Sequence, residues 1–189
     1  MNNMAYQYDR DIKTELIDGI IYAMSSPGFK HNQAALNIAT IFKSYLQGKP
    51  CNVIQTLNVQ LSKKDKPIPD VMVVCNKDII KDDAIYGAPD LVVEVLSPTT
   101  EKRDRGYKRR LYERSGVKEY WLVDTHKRLI EVYYNIDGMY ELHDVYQIYP
   151  EYAIKNMSDE EIAAIAYEFK TSLFDDLTIR IEDIFEGIE

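Results

Sequence analysis

Apolar and polar positions change their period several times along this chain, and each change marks a predicted element. The segment "KTELIDGIIYAMSS" alternates around Asp18-Gly19, a pair typical of a two-residue hairpin turn. Apolar residues at helical spacing over roughly 29–47 predict a helix. Two strand-like runs follow, "CNVIQTLNVQLS" and "IPDVMVVCN", and the polar turn "KKDKP" joins them. The first part of the chain is therefore predicted to form a hairpin, a helix and two strands.

The next part of the chain begins with "GAPDLVVEVLSP", a short apolar run typical of a strand that is covered on both faces. The period then changes, and "TTEKRDRGYKRRLYERSG" predicts a helix with Gly106 as a weak point inside it. "KEYWLVD" predicts a further strand, and "RLIEVYYNIDGMYELHDVY" predicts a hairpin around Asp137-Gly138. This order of elements indicates an α/β fold, in which helices pack on a mixed sheet.

The last segment is predicted to extend this domain with a helix and a closing element. "SDEE" is a capping box before an amphipathic run, which predicts a helix over 158–170. "LTIRIEDIF" fits a strand or a short helix. We expect a single domain over 1–189, with its core at about 13–146 and an acidic helical extension at 151–189. The extension could be a cap on the sheet edge, a dimer contact or a steric gate, and the first two are favoured.

Composition narrows the class of protein. Hydrophobic residues make up 46% of the chain, enough for a full core, and no segment approaches the ~18 apolar residues of a membrane span. The first residues have no apolar stretch typical of a secretory signal. Cys51 and Cys75 form no paired motif, so we expect two buried free thiols and a cytoplasmic location.

The net charge of −8 is unevenly distributed. Residues 151–189 carry eleven acidic and three basic side chains, whereas the first 150 residues carry twenty of each sign. The acidic balance therefore belongs to the extension and does not argue against nucleic acid as a partner of the core.

One glutamate, Glu94, lies in the middle of the apolar strand. A carboxylate buried there without a partner would have its pKa raised, so Glu94 must meet a basic side chain, a metal ion or a proton. Asp70 opens an apolar strand 24 residues earlier. If the two strands are adjacent and in register, Asp70 and Glu94 could share one Mg²⁺, with the carbonyl of Val95 as a third ligand. The alternative is an ion-paired Glu94 with Asp70 capping a turn.

The helix at 101–114 holds seven basic residues against three acidic ones. Asp104, Lys108, Leu111 and Ser115 share one face, and Leu111 marks that face as the inner one. Lys108 is therefore predicted to point into the fold. Three arginines are predicted on the opposite, solvated side, where they form either an ordinary charged surface or a patch that binds phosphates: Arg103, Arg110 and Arg114.

The segments "PIPDVMVV", "GAPDLVVEVLSPTT" and "RDRGYKRRLYERSGVKEYWLVD", with the opening "TELIDGIIYAMSSP", resemble the Uma-two family of restriction endonuclease-like proteins. That family is similar in fold to the PD-(D/E)XK nucleases. The resemblance implies a restriction-endonuclease-like mixed central sheet flanked by helices, with β-hairpins near both ends. It also implies that Asp70 and Glu94 are the two acidic motif residues. The superfamily's lysine, expected two residues after the glutamate, is Leu96 here, and Lys108 on the following helix takes its place.

The resemblance adds two further residues. Glu15, on the first hairpin, resembles a family acid that could reach the site, although a solvated hairpin residue is the alternative. His31 matches a family histidine, for which we expect a capping or packing role.

The implied activity is hydrolysis of phosphodiester bonds in DNA by a Mg²⁺-dependent endonuclease, with Mn²⁺ as a substitute and Asp70 and Glu94 as metal ligands. Lys108 and Glu15 complete the implied catalytic set. Two other classes stay open: a nuclease-like fold that has lost catalysis and serves as a binding or assembly module, and a hydrolase that uses Asp70 and Glu94 on sugars. A homodimer is expected, because a duplex has two strands to cut.

Overall fold

The computed structural model describes residues 13–188, in which ten strands and six α-helices are found. The strands are β1 (Thr14–Ile17), β2 (Ile20–Ala23), β3 (Asn52–Gln55), β4 (Val71–Val74), β5 (Leu91–Val95), β6 (Glu119–Asp124), β7 (Leu129–Ile136), β8 (Met139–Gln147), β9 (Glu168–Thr171) and β10 (Phe174–Arg180). The helices are α1 (Phe29–Tyr45), α2 (Glu101–Arg103), α3 (Arg109–Arg114), α4 (Glu151–Ile154), α5 (Asp159–Ala163) and α6 (Ile181–Ile184). A 3₁₀ turn covers Lys77–Ile79, and a π-helical turn, Asp104–Lys108, joins α2 to α3.

The central sheet has six strands in the order β3-β4-β5-β6-β7-β8. β5 and β6 are parallel, and the other neighbouring pairs are antiparallel. Two hairpins lie outside this sheet, β1-β2 and β9-β10. The mixed sheet with flanking helices and hairpins near both ends confirms the predicted fold class.

Hydrophobic residues pack on both faces of the sheet, because neighbouring residues on a strand point to opposite sides. Trp121 packs under α1, with its ring centroid 5.7 Å from that of Phe42. Tyr120 packs on the other face, 5.4 Å from the ring of Tyr112 on α3. Both side chains are fully buried. Full coverage on both faces explains why the central strands read as nearly continuous apolar runs.

The hairpin turn at Asp18-Gly19 is confirmed, because both residues have positive φ as a type I′ turn requires. The predicted helix at 29–47 corresponds to α1, and the second hairpin turns at Asp137-Gly138 as predicted.

The predicted helix over 158–170 is wrong in its second half. The capping box is present, because Ser158 and Glu161 exchange side-chain and backbone hydrogen bonds at the start of α5. The helix ends after one turn, and Phe169 lies instead in β9, where its ring packs 5.1 Å from Trp121 and 4.5 Å from Tyr146. These long-range contacts override the helical spacing of the sequence. "LTIRIEDIF" contributes both a strand, β10, and the short helix α6.

The prediction of two free thiols is also wrong, because Cys51 and Cys75 form a disulfide bond. Asn52 pairs with Val74 across β3 and β4, so the next residues outward, Cys51 and Cys75, lie directly opposite each other. The disulfide removes the support that free thiols gave to a cytoplasmic location, which stays a prediction.

None of the helices described within residues 13–188 is long and apolar enough to cross a membrane. The expectation about a secretory signal rests largely on residues 1–12, which lie outside the described residues. The single-domain and dimer expectations stay predictions.

Candidate active site

Strand pairing brings the two motif carboxylates together. Val71 pairs with Val93 in the antiparallel β4-β5 ladder, so the next pair outward is Asp70 and Glu94. The backbone N–H of Val95 donates a hydrogen bond to Asp70 Oδ2 at 2.8 Å. Directly opposite residues of an antiparallel pair project from the same face of the sheet. The adjacency and register that a shared metal ion would require are therefore present.

Lys108 points inward, as the helical spacing predicts, and is almost fully buried. Its Nζ lies 3.0 Å from Glu94 Oε1, 3.0 Å from Glu15 Oε2 and 3.6 Å from Asp104 Oδ1. Lys108 closes the π-helical turn, which Asp104 opens. Gly106 lies within that turn, and π turns of this kind are frequently found at functional sites. The weak point that the sequence shows inside the helix is thus where the helix widens and presents Asp104 and Lys108 to the sheet.

Glu15 reaches the site from the first hairpin. Only 2% of its surface is exposed, so the alternative of a solvated hairpin residue is wrong. Its neighbour Leu16 exchanges backbone hydrogen bonds with Lys66, which fixes the hairpin against the loop between β3 and β4. Glu15 Oε1 lies 3.1 Å from Arg103 Nε, and its other oxygen faces Lys108.

The predicted solvated position of Arg103 is wrong. Its side chain is 15% exposed, pairs with Glu15 and stacks on the ring of Tyr22, with 4.6 Å from Cζ to the ring centroid. Arg110 and Arg114 are exposed, as predicted. The π-helical turn explains the difference, because it breaks the 100° spacing between residues before Asp104 and residues after Lys108. A uniform helical wheel therefore assigns Arg103 to the wrong side.

Two further side chains hold the motif carboxylates, and neither was expected in the site. His31 lies in the first turn of α1, and its Nε2 is 3.2 Å from Asp70 Oδ2. His31 therefore contacts a motif carboxylate in addition to the expected capping or packing role. The hydroxyl of Tyr112 donates to Glu94 Oε1 at 2.8 Å. Tyr112 lies four residues after Lys108, on the same side of the helix. That spacing is the signal by which the sequence could have indicated it.

Comparisons with known proteins identify the family of this chain. A family model described as "Uma2: Putative restriction endonuclease" matches residues 3–156. The chain belongs to the Uma2 family.

The Uma2 chain is 37% identical over 134 residues to an uncharacterized protein of Synechocystis sp., slr1290, covering 67% of this chain and 68% of the relative. A crystal structure from Anabaena variabilis, described as a "putative nuclease" belonging to DUF820, matches with a TM-score of 0.70 at 20% identity. That match covers 93% of this chain and 91% of the other, and it shows a shared fold.

The Uma2 site carries more negative than positive charge. Four carboxylates, Glu15, Asp70, Glu94 and Asp104, face the cations of Lys108 and Arg103, with the imidazole of His31 beside Asp70. Such an excess in a buried place favours either protons on the carboxylates or an additional cation.

Burial and neighbouring charges shift the pKa values in this cluster. Burial raises the pKa of Glu94 well above its usual range; Lys108 opposes the shift, and the nearby carboxylates reinforce it. Burial likewise raises the pKa of Asp104. For Lys108, burial would lower the pKa, but the surrounding carboxylates outweigh burial and raise it, so the ammonium stays charged. For His31, burial also lowers the pKa, but the hydrogen bond and the charge of Asp70 raise it overall.

The donor set fits a magnesium ion. The hydrogen bonds and ion pairs of these two carboxylates with Val95, His31, Lys108 and Tyr112 use Oδ2 of Asp70 and Oε1 of Glu94. They do not involve Oδ1 of Asp70 or Oε2 of Glu94. Within residues 13–188, no three His, Cys, Asp or Glu side chains are arranged as a ready-made metal cage. Mg²⁺ commonly uses only one or two protein carboxylates and keeps several waters. Asp70 and Glu94 would supply that number of ligands.

Proposed function

We propose that this Uma2 protein is a divalent-metal-dependent endonuclease that hydrolyses phosphodiester bonds in DNA, with Mg²⁺ as the ion and Mn²⁺ as its substitute. One observation carries the proposal: Asp70 and Glu94 lie opposite each other on adjacent strands, and the buried ammonium of Lys108 lies 3.0 Å from Glu94. The family description and the fold shared with a nuclease-like protein support it.

Each residue of the site has a role in this proposal. Asp70 and Glu94 would hold the ion, which lowers the pKa of a bound water and stabilises negative charge on the phosphate. Lys108 supplies a fixed positive charge for the charge that develops on the scissile phosphate, in a place where burial strengthens the interaction. His31 and the N–H of Val95 orient Asp70, and Tyr112 orients Glu94.

The same geometry favours one competing function. Glu94 and Lys108 are each 3% exposed, and a buried carboxylate that pairs with a buried ammonium can be a purely structural ion pair. In that case the nuclease-like fold serves as a binding or assembly module. An activity measurement separates the two functions.

The test is nicking of supercoiled plasmid DNA in Mg²⁺ and in Mn²⁺, with an RNA substrate in parallel. We expect Glu94→Gln to reduce the rate by on the order of 10²–10³-fold, because it removes a ligand of the ion that would stabilise negative charge in the transition state. Glu119→Gln is the matched control, since Glu119 is an equally buried glutamate on the next strand, bonded to Trp121 and Ser172 outside the site.

Two results would contradict the proposal. Wild type that cleaves no DNA with either ion would favour the binding module. Equal losses in Glu94→Gln and Glu119→Gln would indicate a general effect of losing a buried carboxylate. Cleavage of RNA in preference to DNA would correct the substrate and keep the reaction.

A further inference from the structure

The carboxylates of Glu15, Glu94 and Asp104, which we call the inner cluster, surround a single ammonium group. Lys108 Nζ lies within 3.0 Å of one oxygen of Glu15 and one of Glu94, and 3.6 Å from Asp104. All four residues are at most 3% exposed. Three acidic groups that converge on one point, in a place closed to bulk water, require a positive charge there, and the ammonium of Lys108 now occupies that point.

Glu94 accepts hydrogen bonds from Lys108 and Tyr112 and Asp104 accepts one from Thr100, but several oxygens of the inner cluster are held by charge alone. Both oxygens of Glu15 and Oδ1 of Asp104 are buried and accept no hydrogen bond of good geometry from any residue of the described chain. These oxygens lie at ion-pair distance from cations. Lys108 faces Oε2 of Glu15 and Oδ1 of Asp104, and Arg103 faces Oε1 of Glu15. A buried carboxylate loses its hydration and needs a compensating charge. The ammonium of Lys108 supplies that charge to three carboxylates at once.

We infer that Lys108 is a built-in cation that fills the inner cluster, so that the wild-type chain binds one divalent ion and removal of the lysine charge opens a second divalent-cation site. The first ion is the one that the proposed function assigns to Asp70 and Glu94, and the inference rests on that function for this ion alone. The second ion would bind Glu15, Glu94 and Asp104, which supply the oxygen ligands that hard divalent cations prefer.

With Lys108 in place, the three carboxylates of the inner cluster do not form a ready-made metal cage, but small movements of their oxygens would bring them to metal-binding distance. Divalent ions bind carboxylate oxygens at about 2.0–2.6 Å, depending on the ion. The oxygens that now lie 3.0 Å from Nζ would have to move inward by less than about 1 Å, and Asp104 by somewhat more. Mn²⁺ and Ca²⁺ are therefore suitable probes, and Lys108→Met is the suitable variant, because methionine keeps most of the side-chain length and loses the charge.

The experiment is titration of Mn²⁺ by calorimetry, with bound metal counted after equilibrium dialysis, for wild type, Lys108→Met and Lys108→Arg. We expect one ion per chain for wild type, two for Lys108→Met, and one for Lys108→Arg, which keeps the positive charge. The triple variant Lys108→Met/Glu15→Gln/Asp104→Asn should return to one ion, because it retains Asp70 and Glu94 and loses most of the inner cluster.

The outcomes separate this inference from the proposed function. One ion in both wild type and Lys108→Met overturns the inference and leaves the proposed function standing. No ion in wild type but one in Lys108→Met supports the cation-replacement part of the inference, namely that Lys108 fills the inner cluster, and overturns the metal role of Asp70 and Glu94 together with the expected wild-type ion. No ion in either protein overturns both, and two ions in wild type overturn the inference.

Folding of Lys108→Met is followed by circular dichroism on the same samples. The inference expects Mn²⁺ to raise the thermal midpoint of Lys108→Met by more than that of wild type, since the ion replaces a lost structural charge. If Lys108→Met is unfolded without metal, Mn²⁺ should fold it. Failure of Mn²⁺ to stabilise or fold this variant contradicts the inference.

Discussion

The disulfide bond between Cys51 and Cys75 should contribute a large part of the stability of this protein. The bond closes a loop in which the two cysteines are 24 residues apart. For a loop of this length, the chain-entropy relation gives about 3.5 kcal/mol at 25 °C. The loop also contains Lys66, which hydrogen-bonds to Leu16 and so holds the hairpin that carries Glu15. Reduction should therefore lower the free energy of unfolding by about 3.5 kcal/mol.

The assay is urea unfolding followed by the fluorescence of Trp121, the one tryptophan of the chain, which is fully buried. With a urea dependence of about 2 kcal/mol per molar, a loss of this size moves the midpoint down by roughly 1–2 M. Cys51→Ser/Cys75→Ser is the control, and it should match the reduced wild type and be indifferent to reductant. Two free thiols in the untreated, unfolded protein would refute the reasoning, as would reduction with no change in midpoint.

Two further predictions concern the side chains that hold the motif carboxylates. Tyr112→Phe removes a buried hydrogen bond to Glu94 and should cost about 1–3 kcal/mol in urea unfolding, whereas the control Tyr152→Phe, at a side chain 73% exposed, should change stability by less than about 0.5 kcal/mol; equal effects would contradict the role of Tyr112. Burial lowers the pKa of His31, but its hydrogen bond to Asp70 and the charge of that residue raise it overall in the folded state. Its protonated form therefore contributes fully to folding stability below the ordinary pKa of 6.5, and this contribution is lost as pH rises through the pKa of His31 in the folded protein. The free energy of unfolding is measured in the presence of a chelator from roughly pH 5.5 to 8.5, and with rising pH wild type should lose stability relative to His31→Asn. The same pH dependence in both proteins would contradict the pairing of His31 with Asp70.

Local patterns predicted those parts of the structure that local chemistry determines. Asp18-Gly19 is a turn because both residues tolerate positive φ. The inward direction of Lys108 follows from its spacing to the apolar Leu111, because Lys108 closes the wide turn and regular α-helix continues from there to Leu111. The prediction that Asp70 and Glu94 lie close together required only that two consecutive apolar strands pair in register.

The features that the sequence did not predict depend on contacts between distant segments or on irregular backbone. The disulfide requires the register of β3 against β4, which the spacing of Cys51 and Cys75 does not reveal. Phe169 has helical spacing, but the rings of the sheet draw it into a strand. Arg103 faces inward because of a π-helical turn that a uniform helical period does not include. His31 meets Asp70 only once α1 packs on the sheet.

The most direct test of the account is anomalous diffraction from a crystal of wild-type protein soaked in Mn²⁺. The account predicts one peak per chain within about 2.2 Å of carboxylate oxygens of both Asp70 and Glu94, with Lys108 still in contact with Glu94, because Mn²⁺ binds oxygen at nearly the Mg²⁺ distance. A crystal with no peak at these two residues, or with a peak only elsewhere on the chain, would contradict the assignment of this site as a metal-dependent nuclease centre.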